Sequence, residues 1–452
     1  MRAAADSAAA RLSRDPITLD DLLENGQGVG RVDGLVVFAT GGLPGETVRV
    51  AVDSVKRSYA SAHVIEIERR SPARVDSVCP VFPRCGGCQV LHLAYPAQLE
   101  WKRRLVSDAL RRLGGIEDVT VDEAVASPQA LGTRYRNKVG LVTRFSGGEM
   151  RLGFYEARSH RVVPIESCPV LLPRLDAAVK ALVAFAKDAP QPFSFARHVV
   201  ARASATGDEL VISFNGPKPN KAAGAYVDEI CRRIPETSGV AISWELDNEN
   251  ALFGERSATL WGSPNLQETV AGAKLRFGVA SFFQINTAVL ELIAQRLVAE
   301  LAGVTRVVDL YCGVGTFGVI LGLRGIASTG VEWFKPAADE CAANAAANGV
   351  VNAAFENASA ADAVSGERGR TLLAGAQAVI LDPPRKGCEP VVLEALADNS
   401  IERIIYISCN PATLARDAKL LCGRGYAIER ATPFDMFPQT GHVEVFVTFR
   451  RA

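Results

Sequence analysis

The stretch YISCNPATLARD (406–417) places Cys409 where an apolar run, Ile404 to Ser408, meets an Asn410-Pro411 turn. Strand-end turns are where parallel α/β sheets carry chemistry. A cysteine there is either a small buried hydrophobe or a thiolate nucleophile. A second strand end, LDPPRKG (381–387), sets Asp382 before two prolines, which fix the backbone and donate no hydrogen bonds. That is a carboxylate on a stiff loop, either a site group or a turn cap. A third cluster, CPVFPRCGGCQVLH, spaces Cys79, Cys85 and Cys88 as C-x5-C-x2-C, with Cys168 in IESCPVL as a fourth candidate. Four thiolates hold zinc or an iron–sulfur cluster. Zinc sites favour two short pairs, and only one pair is short here. Three close cysteines, a remote fourth and flanking Pro and Gly fit [4Fe–4S] better, with zinc as the alternative.

DLYCGVGTFG (309–318) is a glycine-rich turn directly after a strand. An acidic residue precedes its glycines, and Glu332 ends the next strand, where it can accept both hydroxyls of a ribose. The third glycine of a dinucleotide fingerprint is missing. A single nucleoside without pyrophosphate suits the loop, so S-adenosylmethionine is the expected cofactor and NAD the alternative.

These residues need elements to position them. At 452 residues the chain is too long for one core, and 48% hydrophobic with 22% charged residues is ordinary globular material. No apolar run of about 18 residues occurs, which argues against a membrane span. The Ala-rich residues 1–14 read as a disordered start. Residues 15–72 read as four or five strands of a small barrel. Residues 73–268 read as a central α+β domain carrying the cysteines, with an amphipathic helix over 97–115 that can pack on the catalytic domain. From 269 to 452, helices alternate with apolar strands, the pattern of a doubly wound Rossmann-like sheet, with YAIERATPFDMFP and HVEVFVTFR as a terminal hairpin on its edge.

Fifty basic residues balance fifty acidic ones. The zero total mildly opposes a nucleic-acid binder, but local clusters survive it. They include Lys56-Arg57, Arg69-Arg70, Lys102-Arg103-Arg104, Arg111-Arg112 and the alternating run Arg134 to Lys138. Ten cysteines in a chain read as cytoplasmic are not a disulfide framework.

Taken together, SFFQIN (281–286), DLYCGVGTFG, Val331-Glu332, LDPPRKG, SCNPATLARD and FPQTGHVEVF (437–446) resemble the RNA uracil-C5 methyltransferase family. The barrel resembles a TRAM domain, an RNA-binding module. The set Cys79, Cys85, Cys88 and Cys168 resembles the family's [4Fe–4S] site. The resemblance implies that Cys409 is the nucleophile and Glu444 the proton-abstracting base. It further implies that Gln284, Tyr311, Glu332 and Asp382 contact S-adenosylmethionine or the uracil. Two positions depart from some relatives, the second proline after Asp382 and Thr316.

A thiolate adding to C6 of uracil makes C5 electron-rich enough to take a methyl group, and a base must then remove the C5 proton. The target base must be unstacked or flipped, with Phe282, Phe283 and Phe437 as stacking candidates. The implied partner is RNA, with 23S rRNA favoured and the tRNA T-loop as the alternative, and the enzyme is read as a monomer. An amino-group methyltransferase would carry an aromatic where Arg385 stands. A cytosine-C5 enzyme would carry a Pro-Cys nucleophile. A noncatalytic RNA-binding iron–sulfur protein would need neither Cys409 nor Glu444.

Overall fold

The computed structural model describes residues 12, 14–218 and 223–452. Most of the segment expected to be a disordered start lies outside the described residues. The first unit is a closed barrel of five strands, β1 (Ile17–Leu22), β2 (Gln27–Val32), β3 (Leu35–Thr40), β4 (Thr47–Val55) and β5 (Tyr59–Arg69), in the order β1-β2-β3-β5-β4. Alternation turns Leu19, Val37, Ala39, Val48, Ala60 and Ala62 inward, all fully buried.

Polar contacts tie the barrel to the central segment of the chain. Glu46 is fully buried and takes two bonds from Arg74, at 2.6 and 2.8 Å, plus the amides of Leu43 and Ser71. The helix read over 97–115 is α1 (Tyr95–Arg112), with a proline in its first turn. Its Trp101 indole donates to Leu22 O of the barrel (3.0 Å). Its Val106 and Leu110 are buried in the core of the C-terminal unit, so α1 packs on the catalytic sheet.

The central unit is a seven-stranded sheet of β6 (Lys138–Ser146), β7 (Glu149–Tyr155), β8 (Val162–Pro164), β9 (His198–Ala203), β10 (Leu210–Asn215), β11 (Gly239–Trp244) and β12 (Arg256–Gly262), in the order β12-β11-β10-β9-β6-β7-β8. Leu175, Val179 and Leu182 of α2 (Pro173–Asp188) fill the core of this unit. A hairpin, β13 (Asn265–Val270) and β14 (Ala273–Gly278), packs instead into the catalytic core. The division expected between 268 and 269 therefore falls inside β13.

The C-terminal sheet comprises β15 (Arg306–Asp309), β16 (Ala327–Glu332), β17 (Ala353–Asn357), β18 (Ala378–Leu381), β19 (Arg403–Ser408), β20 (Tyr426–Phe434) and β21 (Glu444–Arg451). Their order is β17-β16-β15-β18-β19-β21-β20, parallel throughout except for β21. Strand residues alternate between two cores. Val308, Val379, Leu381, Ile404, Tyr406 and Val447 face α1, α6 (Pro390–Asp398) and α7 (Pro411–Gly423). Val307, Ala378, Ile380, Ile405, Ile407 and Phe446 face α3 (Thr287–Glu300), α4 (Thr316–Gly322), α5 (Lys335–Ala347) and the β13–β14 hairpin. Helices on both faces confirm the doubly wound reading.

The terminal hairpin forms the edge of the sheet as expected, with an order that the sequence did not show. β21 is inserted between β19 and β20, so Glu444 begins an interior strand. Even β20 is not open, because Val121 and Val125 bridge to Ala431 and Phe434 along it.

Candidate functional site

Gln284, Tyr311, Glu332, Asp382, Cys409 and Glu444 all line one cavity of about 590 Å3 at the carboxyl ends of the C-terminal strands. Each is brought there by a different turn. Cys409 follows β19, and Asn410 caps α7 through its side chain, which accepts from Ala412 N (3.0 Å). The Asn410 side-chain amide also donates to Arg385 O (3.1 Å), as does the Thr413 hydroxyl (3.2 Å). These bonds stitch the cysteine turn to the loop of Asp382. Glu444 enters as the first residue of β21, paired across the ladder with Phe434.

The glycine-rich turn works as its sequence implies. Gly313 and Gly315 take φ of 57° and 82°, open to residues without a Cβ, and Gly315 caps α4. Glu332 accepts from Gly313 N (3.0 Å) and Phe334 N (2.8 Å), so its carboxylate is fixed at the cavity wall. Beneath it lies Asp309, fully buried, with one oxygen 3.4 Å from Tyr311 N and the other without a partner. Burial first, then the nearby Asp382, push its carboxyl up to about 8.

Burial favours the neutral forms of three groups on this cavity. Burial, then Glu444 and Asp382, push the Cys409 thiol up to about 12, against a downward pull from Arg385. Burial and Asp382 hold the Glu444 carboxyl well above the usual carboxylate range, again opposed by Arg385. Glu444 is 1% exposed and its Oε1 has no hydrogen-bond partner. Burial pushes Asp382 up to about 7, while a hydrogen bond from Gln284 acts downward. A thiol, a protonated acid and one guanidinium form a site poised to ionise when a cation or a polar substrate enters.

SFFQIN is held from outside its own domain. Arg202 of β9, fully buried, donates to Ser281 O (2.8 Å) and Phe283 O (3.1 Å) and lies over the Phe277 ring at 4.4 Å. Phe277 in turn stacks on Phe283 with ring centroids 4.2 Å apart. Asn137 donates to Gln284 O (3.0 Å). Of the three stacking candidates, Phe283 is thus committed to the core, Phe437 is half-buried, and Phe282 is 67% exposed at the cavity. Sequence reasoning missed Trp333, 70% exposed on the same cavity, and used Arg385 only to exclude another enzyme class. Its place directly after Glu332, the acid expected to meet a ribose, was the available signal for Trp333.

Cys79, Cys85, Cys88 and Cys168 converge on a second cavity of about 360 Å3, shared with Arg136 and Lys138. Burial raises Cys88 to about 12 and Cys168 to about 11, with Arg136 acting downward on both. Four cysteines on one cavity beside a guanidinium supply the kind of donor set an iron–sulfur cluster needs. Among the described residues, however, no three Cys, His, Asp or Glu side chains are drawn together into a metal-holding group.

The basic clusters are corrected in part. Lys102 is fully buried and bonded to Asp435 (2.5 Å), so it meets no phosphate. Arg104 pairs with Asp21, and Arg111 and Arg112 pair with Asp108. Of the run 134–138, Arg136 and Lys138 face the cysteine cavity, Asn137 is buried, and Arg134 is the exposed cation. Among the described residues no helix is long and apolar enough to cross a membrane.

Comparison with known proteins fits this geometry. The family described as tRNA (Uracil-5-)-methyltransferase matches residues 266–452, and the TRAM domain matches 15–65. An uncharacterized RNA methyltransferase of Thermosynechococcus vestitus is 37% identical over 442 residues, 95% of this chain and 96% of that one. Another from Listeria innocua is 32% identical over 441 residues, 95% of each chain. Among solved structures, the Pyrococcus abyssi tRNA (uracil-54, C5)-methyltransferase in complex with S-adenosyl-L-homocysteine superposes with a TM-score of 0.75 at 28% identity, covering 97% of this chain and all of that one. With its TRAM barrel, methyltransferase sheet and whole-length relatives, the chain belongs to the RNA (uracil-C5)-methyltransferase family.

Proposed function

We propose that this protein methylates C5 of a uridine in RNA through a covalent adduct on Cys409. The observation that carries the reading is the meeting of a cysteine from the end of β19 and a buried carboxyl group, with one oxygen free of hydrogen bonds, from the start of β21 on the cavity that Glu332 and Asp382 also line. S-adenosylmethionine, when bound, supplies an electrophilic methyl group and a positive charge. Glu332 would hold its ribose in this reading, and Tyr311 lines the same cavity.

The Cys409 sulfur bonds to C6, and the C5–C6 π electrons move toward O4. The electron pair at C5 then bonds to the methyl carbon, whose bond to the donor's sulfonium sulfur breaks and leaves its own pair on the sulfur of S-adenosylhomocysteine. Glu444 then accepts the C5 proton, the C5–C6 double bond re-forms, and the C6–S bond breaks to release the thiolate. Arg385 favours the ionised forms of both Cys409 and Glu444. Gln284 and Asp382, hydrogen-bonded to each other, offer a polar edge for the uracil ring.

We assign the four converging cysteines to a [4Fe–4S] cluster with a structural role. For the RNA, the barrel together with the four cysteines favours 23S rRNA. The tRNA T-loop is the second reading, favoured by the whole-length likeness to the archaeal tRNA enzyme. The enzyme acts as a cytoplasmic monomer in this reading.

The test is to map 5-methyluridine in rRNA and tRNA from cells with and without the protein, complementing with Cys409→Ala and Glu444→Gln. Loss of one 5-methyluridine, restored by wild type and not by Cys409→Ala, is expected. Glu444→Gln should remain attached to methylated RNA as a slow band on a denaturing gel. Near-wild-type turnover by Cys409→Ala would sink the assignment of the nucleophile, and absence of methyl transfer by the wild type would leave a noncatalytic RNA-binding role.

A further inference from the structure

Gln439 lies in the loop 435–443 that joins β20 to β21, 5% exposed, with a backbone φ of 68°. That left-handed conformation is costly for a glutamine, so the surroundings must impose it. Its own hydrogen bonds show how. Its N–H donates to Gln98 Oε1 (3.1 Å), and its side-chain oxygen accepts from Gln98 Nε2 (2.8 Å). Its side-chain amide donates to Leu131 O (2.7 Å). Its carbonyl accepts from Gln89 N (3.0 Å) and Val90 N (3.1 Å), directly after Cys88. Helix α1, the turn at Leu131 and the cysteine segment all converge on this one residue.

The rest of the loop is pinned from the same side. Lys102 Nζ donates to Phe437 O (2.9 Å), and the Tyr135 hydroxyl donates to Pro438 O (3.0 Å). On the opposite side, a side chain at Gly441 would collide with the carbonyl of Glu24 from the barrel. The loop opens at Phe434 and closes at Glu444, which are ladder partners, so its shape sets where β21 and its first carboxylate begin. The Cys409 turn is held separately, through Asn410 and Thr413 on Arg385 O.

We propose that Gln439 is a positioning residue for proton removal. By fixing the loop that ends at Glu444, it serves the last step of the reaction and leaves attack by Cys409 unaffected. In that step the C5–H bond breaks, the proton goes to the Glu444 carboxylate, and the electron pair re-forms the C5–C6 double bond and expels the thiolate. The proposal rests on Glu444 being the base.

The experiment uses the full-length protein with Gln439→Asn and Gln439→Gly. Both tolerate a left-handed backbone, and neither spans the distance to Gln98 and Leu131 together. Two readouts separate the steps. Trapping by 5-fluorouridine RNA reports attack and methyl transfer, whereas turnover on ordinary RNA also needs proton removal. Turnover should fall about 10- to 100-fold while trapping stays within about twofold of wild type. Methylated RNA should then accumulate in a covalent band. Turnover close to wild type overturns the proposal, and so does trapping that falls in step with turnover. Failure of both variants to fold also overturns it, since Gln439 would then serve the fold. Absence of trapping by the wild type refutes the functional reading itself, and the proposal falls with it. A wild type that traps beside variants that turn over normally sinks this proposal alone.

Discussion

Arg385 is the cation that acts on both Cys409 and Glu444, and it follows two prolines that keep its loop stiff. Its removal leaves the thiol facing two acidic groups without a counterweight. Arg385→Met should therefore slow 5-fluorouridine trapping about 10-fold at neutral pH. Because trapping needs the thiolate and the thiol is already pushed up to about 12, the rate should climb from pH 6 to pH 9 in the wild type. In the variant the climb should shift to higher pH, and an unshifted profile would remove Arg385 from the mechanism. Asp309 carries a stability consequence of opposite sign. An acid whose folded pKa is raised to about 8 stabilises the fold fully below its unfolded value near 4 and loses that contribution as pH rises through 8. Asp309→Asn should leave thermal stability unchanged near pH 4 and raise it at pH 8 by up to about 5 kcal/mol. Cys409 and Asp382 were legible in the sequence because strand-end turns announce themselves by composition. Arg385 and Asp309 were visible as letters, but their effect depends on burial, which spacing does not report.

The catalytic sheet was legible at the level of elements because parallel strands buried on both faces read as continuous apolar runs. Where β21 goes was not legible, since nothing in HVEVFVTFR distinguishes an interior strand from an edge one. The clamp on SFFQIN was also hidden, because Asn137 and Arg202 lie far from it in sequence. Arg202→Met would strand the carbonyls of Ser281 and Phe283 without donors in a buried site, at a cost of about 2–4 kcal/mol. It should also loosen the Gln284–Asp382 contact. A fall in melting temperature together with an approximately tenfold weaker affinity for S-adenosylhomocysteine is expected by calorimetry. Unchanged affinity in a destabilised protein would make the clamp purely structural.

In the whole molecule the barrel is not a detachable module. Its β1–β2 turn packs Gly26 so closely on Gln89 that a Cβ there would lie 2.7 Å from the Gln89 Cβ, and Glu24 reaches the loop before Glu444. Deleting residues 1–72 should thus impair turnover as well as RNA binding, whereas charge reversal at the exposed Arg31 and Lys56 isolates the binding role. Arg31→Glu with Lys56→Glu should weaken RNA binding about 10-fold or more at 0.1 M salt and flatten its salt dependence, measured by filter binding. An unaltered salt slope would make the barrel a scaffold. Protein purified anaerobically should contain about four irons per chain, and Cys88→Ser should lose them and unfold at lower temperature. Stoichiometric zinc without iron would replace that cluster.

The reversed strand β21 has a further consequence, for biosynthesis. A ribosome that has delivered the chain as far as α7 has made Cys409, but the flank of β19 that β21 will cover is still bare, and β20 has only its bridges to Val121 and Val125. Until Glu444 to Arg451 emerge, the nascent protein exposes the unpaired flank of β19 beside a cysteine, so premature termination in this stretch should yield chaperone clients rather than slow enzymes.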